Sequence, residues 1–339
     1  MKSMQWTLAS RPAGAPTPGN FKLVEADVAA PQDGEVTART LYMSLDPYMR
    51  GRMSEGASYA APVPIGGVME GEVIGEIVES RSPHFKAGDT VSARAGWQSA
   101  WTLPANQLRP LPQLPFPVSY HLGMLGMPGL TAYDGLMRIG QPKPGETVCV
   151  AAASGAVGSV VGQIAKRAGC TVVGIAGGKA KCDYVTRELG FDACLDHHDP
   201  GLKAQLKAAA PKGIDIYFEN VGGKVWEAVL PRLNDFARVA VCGLIAGYNA
   251  ASREELASDI MMAELMRMIL VKRLHIEGFI VSDHWADMMP RFAADMAKWQ
   301  MERPFTYRED VTEGIENAPD AFIGLLEGKN FGKAVVKIA

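Results

Sequence analysis

Apolar positions in roughly the first 120 residues fall in short strand-like runs, at 5–8, 21–26, 35–45, 66–79, 90–93 and 98–103. Turn residues separate them: Pro12, Gly14, Pro16, Pro18-Gly19, Asp33-Gly34 and Lys86-Ala87-Gly88-Asp89. Helical spacing is scarce, so the pattern predicts a small, irregular β barrel. LDPYMRGRM, at 45–53, mixes apolar, aromatic and cationic groups without any period and taken alone reads as a loop.

Beyond that point the texture changes. GMPGLTAY at 126–133 leads into a helix, and Lys143-Pro144-Gly145 resets the chain. An apolar run at 147–153 predicts a buried parallel strand. From Ser159 the period lengthens: Val160, Val161, Ile164, Ala165 and Ala168 recur at helical spacing until Gly169 stops the helix. Residues 170–176 predict a second buried strand, which completes a βαβ unit. Its turn reads Ala153-x-Gly155-x-x-Gly158, with glycine at two of the three positions of a dinucleotide-binding turn. Gly155 lets the backbone approach a pyrophosphate, and Gly158 lets the helix pack close to the strand. The diphosphate then sits on the free N–H groups and positive end of the helix. A lone pair of glycines is usually only a tight turn; the complete βαβ frame is what favours a cofactor.

The alternation continues with a helix at 181–189, a strand at 193–195, a helix at 202–210 and a strand at 214–218. A helix at 226–233 and a strand at 237–242 follow. Such alternation predicts a parallel doubly wound sheet, and ligands bind these sheets beyond the carboxyl ends of the strands. Three loops therefore converge: 155–158, 220–223 and 243–249. Next come a Met-rich helix at 254–272, a strand at 274–281 and an amphipathic helix at 283–300. The tail has a helix at 318–326 and a strand at 334–338, a β pattern that points back to the first domain. The expected division is 1–125 for the barrel, 126–305 for the nucleotide-binding domain and 306–339 for the return.

At 339 residues, 47% apolar and with net charge −3, the chain has room for two cores and no basic face for nucleic acid. Its N-terminus lacks the apolar core of a signal peptide, and no run reaches membrane-spanning length. The five scattered cysteines read as reduced thiols of a cytoplasmic protein.

Cofactor choice is written near the end of the second βαβ strand, where a carboxylate would hold the ribose of NAD. Here the chain reads Gly177-Gly178-Lys179-Ala180-Lys181. Two ammonium groups and no acid suit the 2′-phosphate of NADP(H). The plainer reading, lysines solvated at a helix start, is outweighed by the missing acid.

GMPGLTAY, GETVCVAAASGAVGSVVGQIAK, KGIDIYFENVGG, ENAPDAFIGLLEGKNFGK and LDPYMRGRM together resemble the medium-chain dehydrogenase/reductase superfamily. More narrowly the chain is similar, from about residue 41 onward, to the zinc-free branch of leukotriene B4 12-hydroxydehydrogenase/prostaglandin reductase, alkenal double-bond reductases and curcumin reductase. The resemblance implies a GroES-like β barrel plus a Rossmann domain, an α/β fold. It also implies NADPH-dependent reduction of the C=C bond of an apolar enal or enone. Carried over residue by residue, Gly155, Ala156, Val157 and Gly158 hold the pyrophosphate, and Lys181 holds the 2′-phosphate with Lys179 beside it. Asn220, the segment from Cys242 and Gly243 to Tyr248, then Phe279, Ile280 and Val281 near the nicotinamide, and Asn330 complete the contacts. Two positions depart from the pattern: relatives carry tyrosine where this chain has His197 and Ser282.

Hydride addition to the β-carbon leaves negative charge on the carbonyl oxygen, which a hydrogen-bond donor must stabilise before the α-carbon is protonated. A phenol does both. Tyr248 is the first candidate and Tyr48 the second, each weighed against a packed aromatic with a satisfied hydroxyl. A quinone oxidoreductase of the same superfamily and a non-catalytic NADPH-binding protein are the alternatives. A zinc alcohol dehydrogenase needs thiolate and imidazole ligands. No cysteine precedes Cys149, and Gly66-Gly67-Val68-Met69-Glu70 lacks a histidine, so no metal is expected. The apolar strand at 274–281 suits a sheet edge, which predicts a homodimer.

Overall fold

A computed structural model describes the chain except for residues 57, 253 and 256–260. It divides into two compact units: Met1–Leu122 with Glu309–Ala339, and Gly123–Arg308.

In the first unit β1 (Lys2–Leu8) and β2 (Phe21–Asp27) form an antiparallel ribbon. The main sheet takes β3 (Glu35–Ser44), β4 (Val73–Ser80), β5 (Thr90–Ala93), β6 (Ala100–Pro104) and β7 (Arg109–Pro110). Trp97 is fully buried, stacked on Phe21 with ring centroids 5.8 Å apart and meeting Phe322 edge-on at 5.5 Å. Burying such a ring stabilises the fold by about 1.5–3 kcal/mol. Residues 45–53 are a loop around one helical turn, Met49–Arg52.

The second unit is built on β8 (Thr147–Ala151), β9 (Thr171–Ala176), β10 (Ala193–Asp196), β11 (Ile214–Glu219), β12 (Leu233–Val241) and β13 (His275–Gly278). All pairings among them are parallel, in the order β10-β9-β8-β11-β12-β13. Counted within the unit this is 3-2-1-4-5-6, with the reversal of direction between β8 and β11. The Gly158–Arg167 helix buries Val160, Val161, Ile164 and Ala165. It approaches so closely that a Cβ on Gly162 would lie 1.7 Å from the Phe191 ring.

The chain returns to the first unit in β14 (Glu309–Glu313) and β15 (Lys333–Lys337), the latter antiparallel to β3 with Val335 opposite Ser44. β14 pairs parallel with β15, and its sequence EDVTE carries no apolar run that would announce it.

Several expected boundaries move. The helix expected at 226–233 is Gly223–Val229, because Pro231 sits in a short 3-10 turn and Leu233 already pairs with Ile214. The strand expected at 274–281 pairs only as far as Gly278, where its partner β12 ends at Val241. The Met-rich helix is Met262–Lys272; the earlier part of that expectation overlaps positions outside the described residues.

Candidate cofactor and active site

Parallel strands bring all their carboxyl ends to one edge, and the loops there carry most of the candidate residues. After β8, Ala152 takes a left-handed φ of 52° and turns its carbonyl toward Gly155, whose N–H donates to it at 2.9 Å. A Cβ on Gly158 would stand 2.4 Å from that carbonyl, so the helix starts where only glycine fits. Val157 precedes the helix, and the Gly155 carbonyl accepts the Ser159 N–H at 3.1 Å. The N-terminus of a buried ten-residue helix thus opens at the point where the strand order reverses.

Across the reversal, the Asn220 amide donates to the Ala151 carbonyl at 2.8 Å and ties the loop after β11 to the glycine turn. The loop after β12 is tied in turn to the one after β11: Cys242 N–H donates to Glu219 O at 2.9 Å, and Ile245 N–H donates to Asn220 O at 3.2 Å. Burial, with Glu219 nearby, pushes the Cys242 thiol up to about 12, so it stays a neutral thiol. Tyr248 is half-buried, with its hydroxyl folded back over Gly243 and accepting the Leu244 N–H at 3.4 Å. Phe279 is buried edge-on against Phe218 at 6.2 Å. Ile280 and Val281 follow it, partly exposed, where the chain leaves the sheet.

On the other side, Lys179 and Lys181 lie in the first turn of the Lys179–Arg187 helix after β9. Lys179 is largely exposed and pairs with Asp183 at 2.5 Å, whereas Lys181 is half-buried. Sequence reasoning found no acid here, yet the topology delivers Asp196 from the end of the neighbouring β10. Its Oδ1 accepts the N–H groups of Gly178 at 2.9 Å and His198 at 3.0 Å, and these bonds hold the carboxyl below its usual range. Asp196 is therefore already engaged by backbone donors. His197 lies against Gly177, and its ring centroid is 4.0 Å from that of His198. Burial, then His198, lower its pKa.

Two candidates belong to the first unit. Asn330 donates to Gly332 O at 2.8 Å, and Tyr48 is half-buried with the Arg52 guanidinium 5.7 Å from its ring centroid. Burial, followed by Asp46 and Glu70, pushes the Tyr48 phenol far above its usual value, so it keeps its proton. Nearby, buried Lys333 donates to Ser44 Oγ, Leu45 O and Asp46 Oδ1 at 2.7–2.8 Å and fixes the loop before Tyr48 to β15. Among the described residues no group of three His, Cys, Asp or Glu is placed to hold a metal ion. No described helix is long and apolar enough to cross a membrane.

A doubly wound sheet of this order, with a glycine turn at its reversal, defines a dinucleotide-binding protein. Residues 4–111 match the family described as the N-terminal domain of oxidoreductase, and residues 156–298 match that described as zinc-binding dehydrogenase. The chain is 52% identical to the NADPH-dependent curcumin reductase of Escherichia coli (strain K12), over 100% of its own length and 97% of that protein. It is 41% identical to a 2-alkenal reductase (NADP(+)-dependent) of Nicotiana tabacum, covering 90% of this chain and 88% of that one. The solved structure of CurA in complex with NADPH from Vibrio vulnificus superposes with TM-score 0.95 at 50% identity, covering 99% of each chain. The chain belongs to the zinc-independent medium-chain dehydrogenase/reductase family, with a GroES-like barrel and a Rossmann domain, and it is an oxidoreductase.

Proposed function

We propose that this chain catalyses the NADPH-dependent reduction of the C=C bond of α,β-unsaturated aldehydes and ketones. The observation that carries the reading is the shared edge of one sheet. There a glycine turn, a lysine-bearing turn whose neighbouring acid is engaged by backbone donors, and a phenol-bearing loop all lie at carboxyl ends of strands. Full-length relatives named for curcumin and 2-alkenal reduction support the same chemistry.

The cofactor is NADPH, which when bound supplies the hydride that adds to the β-carbon. Ala156, Val157 and Gly158 offer the diphosphate backbone N–H groups and the helix dipole, while Gly155, its own N–H held by Ala152 O, lets the backbone come close. Lys181, with Lys179 as a weaker neighbour, pairs with the 2′-phosphate. Asn220, Cys242, Gly243, Phe279, Ile280 and Val281 shape the nicotinamide end, and Asn330 is assigned a further cofactor contact. Tyr248 donates to the carbonyl oxygen as negative charge develops. The Leu244 N–H at its oxygen polarises the phenol and strengthens that donation. Tyr48, kept protonated by its surroundings, is the second donor. No metal takes part, so a chelator leaves the rate unchanged.

NADPH oxidation with a 2-alkenal, an aryl enone, a 15-oxo-prostaglandin-like enone and a quinone tests the reading. Turnover confined to the quinone overturns it. A cytoplasmic homodimer completes the proposal: β13 is the edge strand of its sheet, and five free thiols suit a reducing compartment. Light scattering that gives a monomer mass at micromolar concentration would remove the dimer.

A further inference from the structure

Glu219 is the last residue of β11 and is 1% exposed, yet it is a carboxylic acid with no cation paired to it in any described ion pair. A buried carboxyl is costly unless its oxygens are used. Here one oxygen, Oε1, accepts two backbone N–H groups, from Val221 at 2.6 Å and Gly222 at 2.9 Å. Gly222 and Gly223 adopt φ of 77° and 53°, so the loop takes a turn that only the glycines enter readily. The main-chain oxygen of the same residue accepts the N–H groups of Cys242 at 2.9 Å and Gly243 at 3.2 Å. One residue therefore holds both loops on the far side of the strand reversal. A Cβ on Gly222 would stand 3.2 Å from Leu244, so the two loops also pack on each other.

A dinucleotide straddles the reversal of such a sheet, one half on each side. With Lys181 after β9 on the adenosine side, the loops after β11 and β12 face the nicotinamide side. We propose that Glu219 is a positioning residue for the nicotinamide half of the cofactor, acting through the Val221 and Gly222 amides and not by contact with the ligand. This rests on the cofactor placement given under the proposed function.

The discriminating ligand is adenosine 2′,5′-bisphosphate, which has the 2′-phosphate and adenosine but lacks the nicotinamide half. Calorimetric titration of the full chain with NADPH, NADH and this fragment should separate the two sides. Glu219→Leu, which keeps apolar bulk without an acceptor, should weaken NADPH and NADH alike by about 10-fold or more, as expected when two buried donors lose their partner. The fragment should bind as it does to the wild type. Glu219→Gln keeps an oxygen for both N–H groups and should restore NADPH affinity. If Glu219→Leu does not fold, Glu219→Asp, which withdraws the acceptor by one methylene, reads the same split. Equal weakening of all three ligands, no weakening, or failure of Glu219→Gln to restore binding overturns the inference. Lys181→Ala is the control for the placement beneath it. If that variant leaves the fragment's affinity intact, the cofactor placement itself has failed; if it weakens the fragment, a negative Glu219 result counts against Glu219 alone.

Discussion

Removing the Lys181 ammonium should turn an NADPH-selective enzyme into one that barely distinguishes NADPH from NADH. A charge-assisted hydrogen bond contributes about 1.5–3 kcal/mol, and the half-buried setting of Lys181 favours the lower end because water still screens the pair. About 1.4 kcal/mol is tenfold, so Lys181→Ala should raise the KM for NADPH roughly 10-fold. That for NADH should stay nearly constant, since NADH has no phosphate to lose. Lys179 is 81% exposed and already faces Asp183 at 2.5 Å, so Lys179→Ala should change the NADPH value by only about twofold. Asp196, held in its ionised form by the Gly178 and His198 amides, offsets part of the lysine charge, which also favours the lower end. The assay is kcat/KM for both cofactors in the three proteins at two ionic strengths, and the wild-type preference should shrink as salt rises. A wild type that uses NADH as well as NADPH would refute the reasoning, as would a Lys181→Ala that damages both equally.

Three further outcomes follow from single contacts. Tyr248→Phe should lower kcat by roughly 100-fold with a smaller effect on NADPH affinity; an unchanged kcat moves the donor role to Tyr48, the cofactor ribose or water. Gly162→Ala puts a Cβ 1.7 Å from Phe191 and should cost about 2 kcal/mol, read as a fall in Tm of several degrees, with no fall contradicting the packing. Burial holds the Glu219 carboxyl above its usual range, so the folded chain binds that proton more tightly than the unfolded one. The resulting stabilisation is present below the unfolded pKa of about 4.3 and is lost as pH rises through the folded value. The stability of wild type relative to Glu219→Gln should therefore fall from acid to neutral pH, and a pH-independent difference in denaturant melts would contradict it.

What the sequence makes legible here is whatever repeats within a few residues. The Val160, Val161, Ile164 and Ala165 stripe and the flanking apolar runs define a strand, turn and helix because burial is periodic and local. β14 escapes the same reading: EDVTE is an edge strand, paired on one side by β15 and largely in contact with solvent, so nothing in its composition demands a strand. Gly162 shows the opposite failure, since in sequence it is merely a weak point in a helix. Phe191, 29 positions later in the numbering, makes it obligatory. The cofactor edge divides in the same way. Its glycines and lysines are visible as a motif, because a turn and a helix start are local. Asp196 and Glu219 are not, because their roles depend on which strand lies beside which. Asp196 enters only through the pairing of β10 with β9, and Glu219 reads as a hydrophilic strand end until burial shows it holding two loops. Both acids accept backbone N–H groups of the loops beside them. In one case they hold an ionised carboxylate beside the lysine turn, and in the other they tie the next loop to a carboxyl buried beside Tyr217.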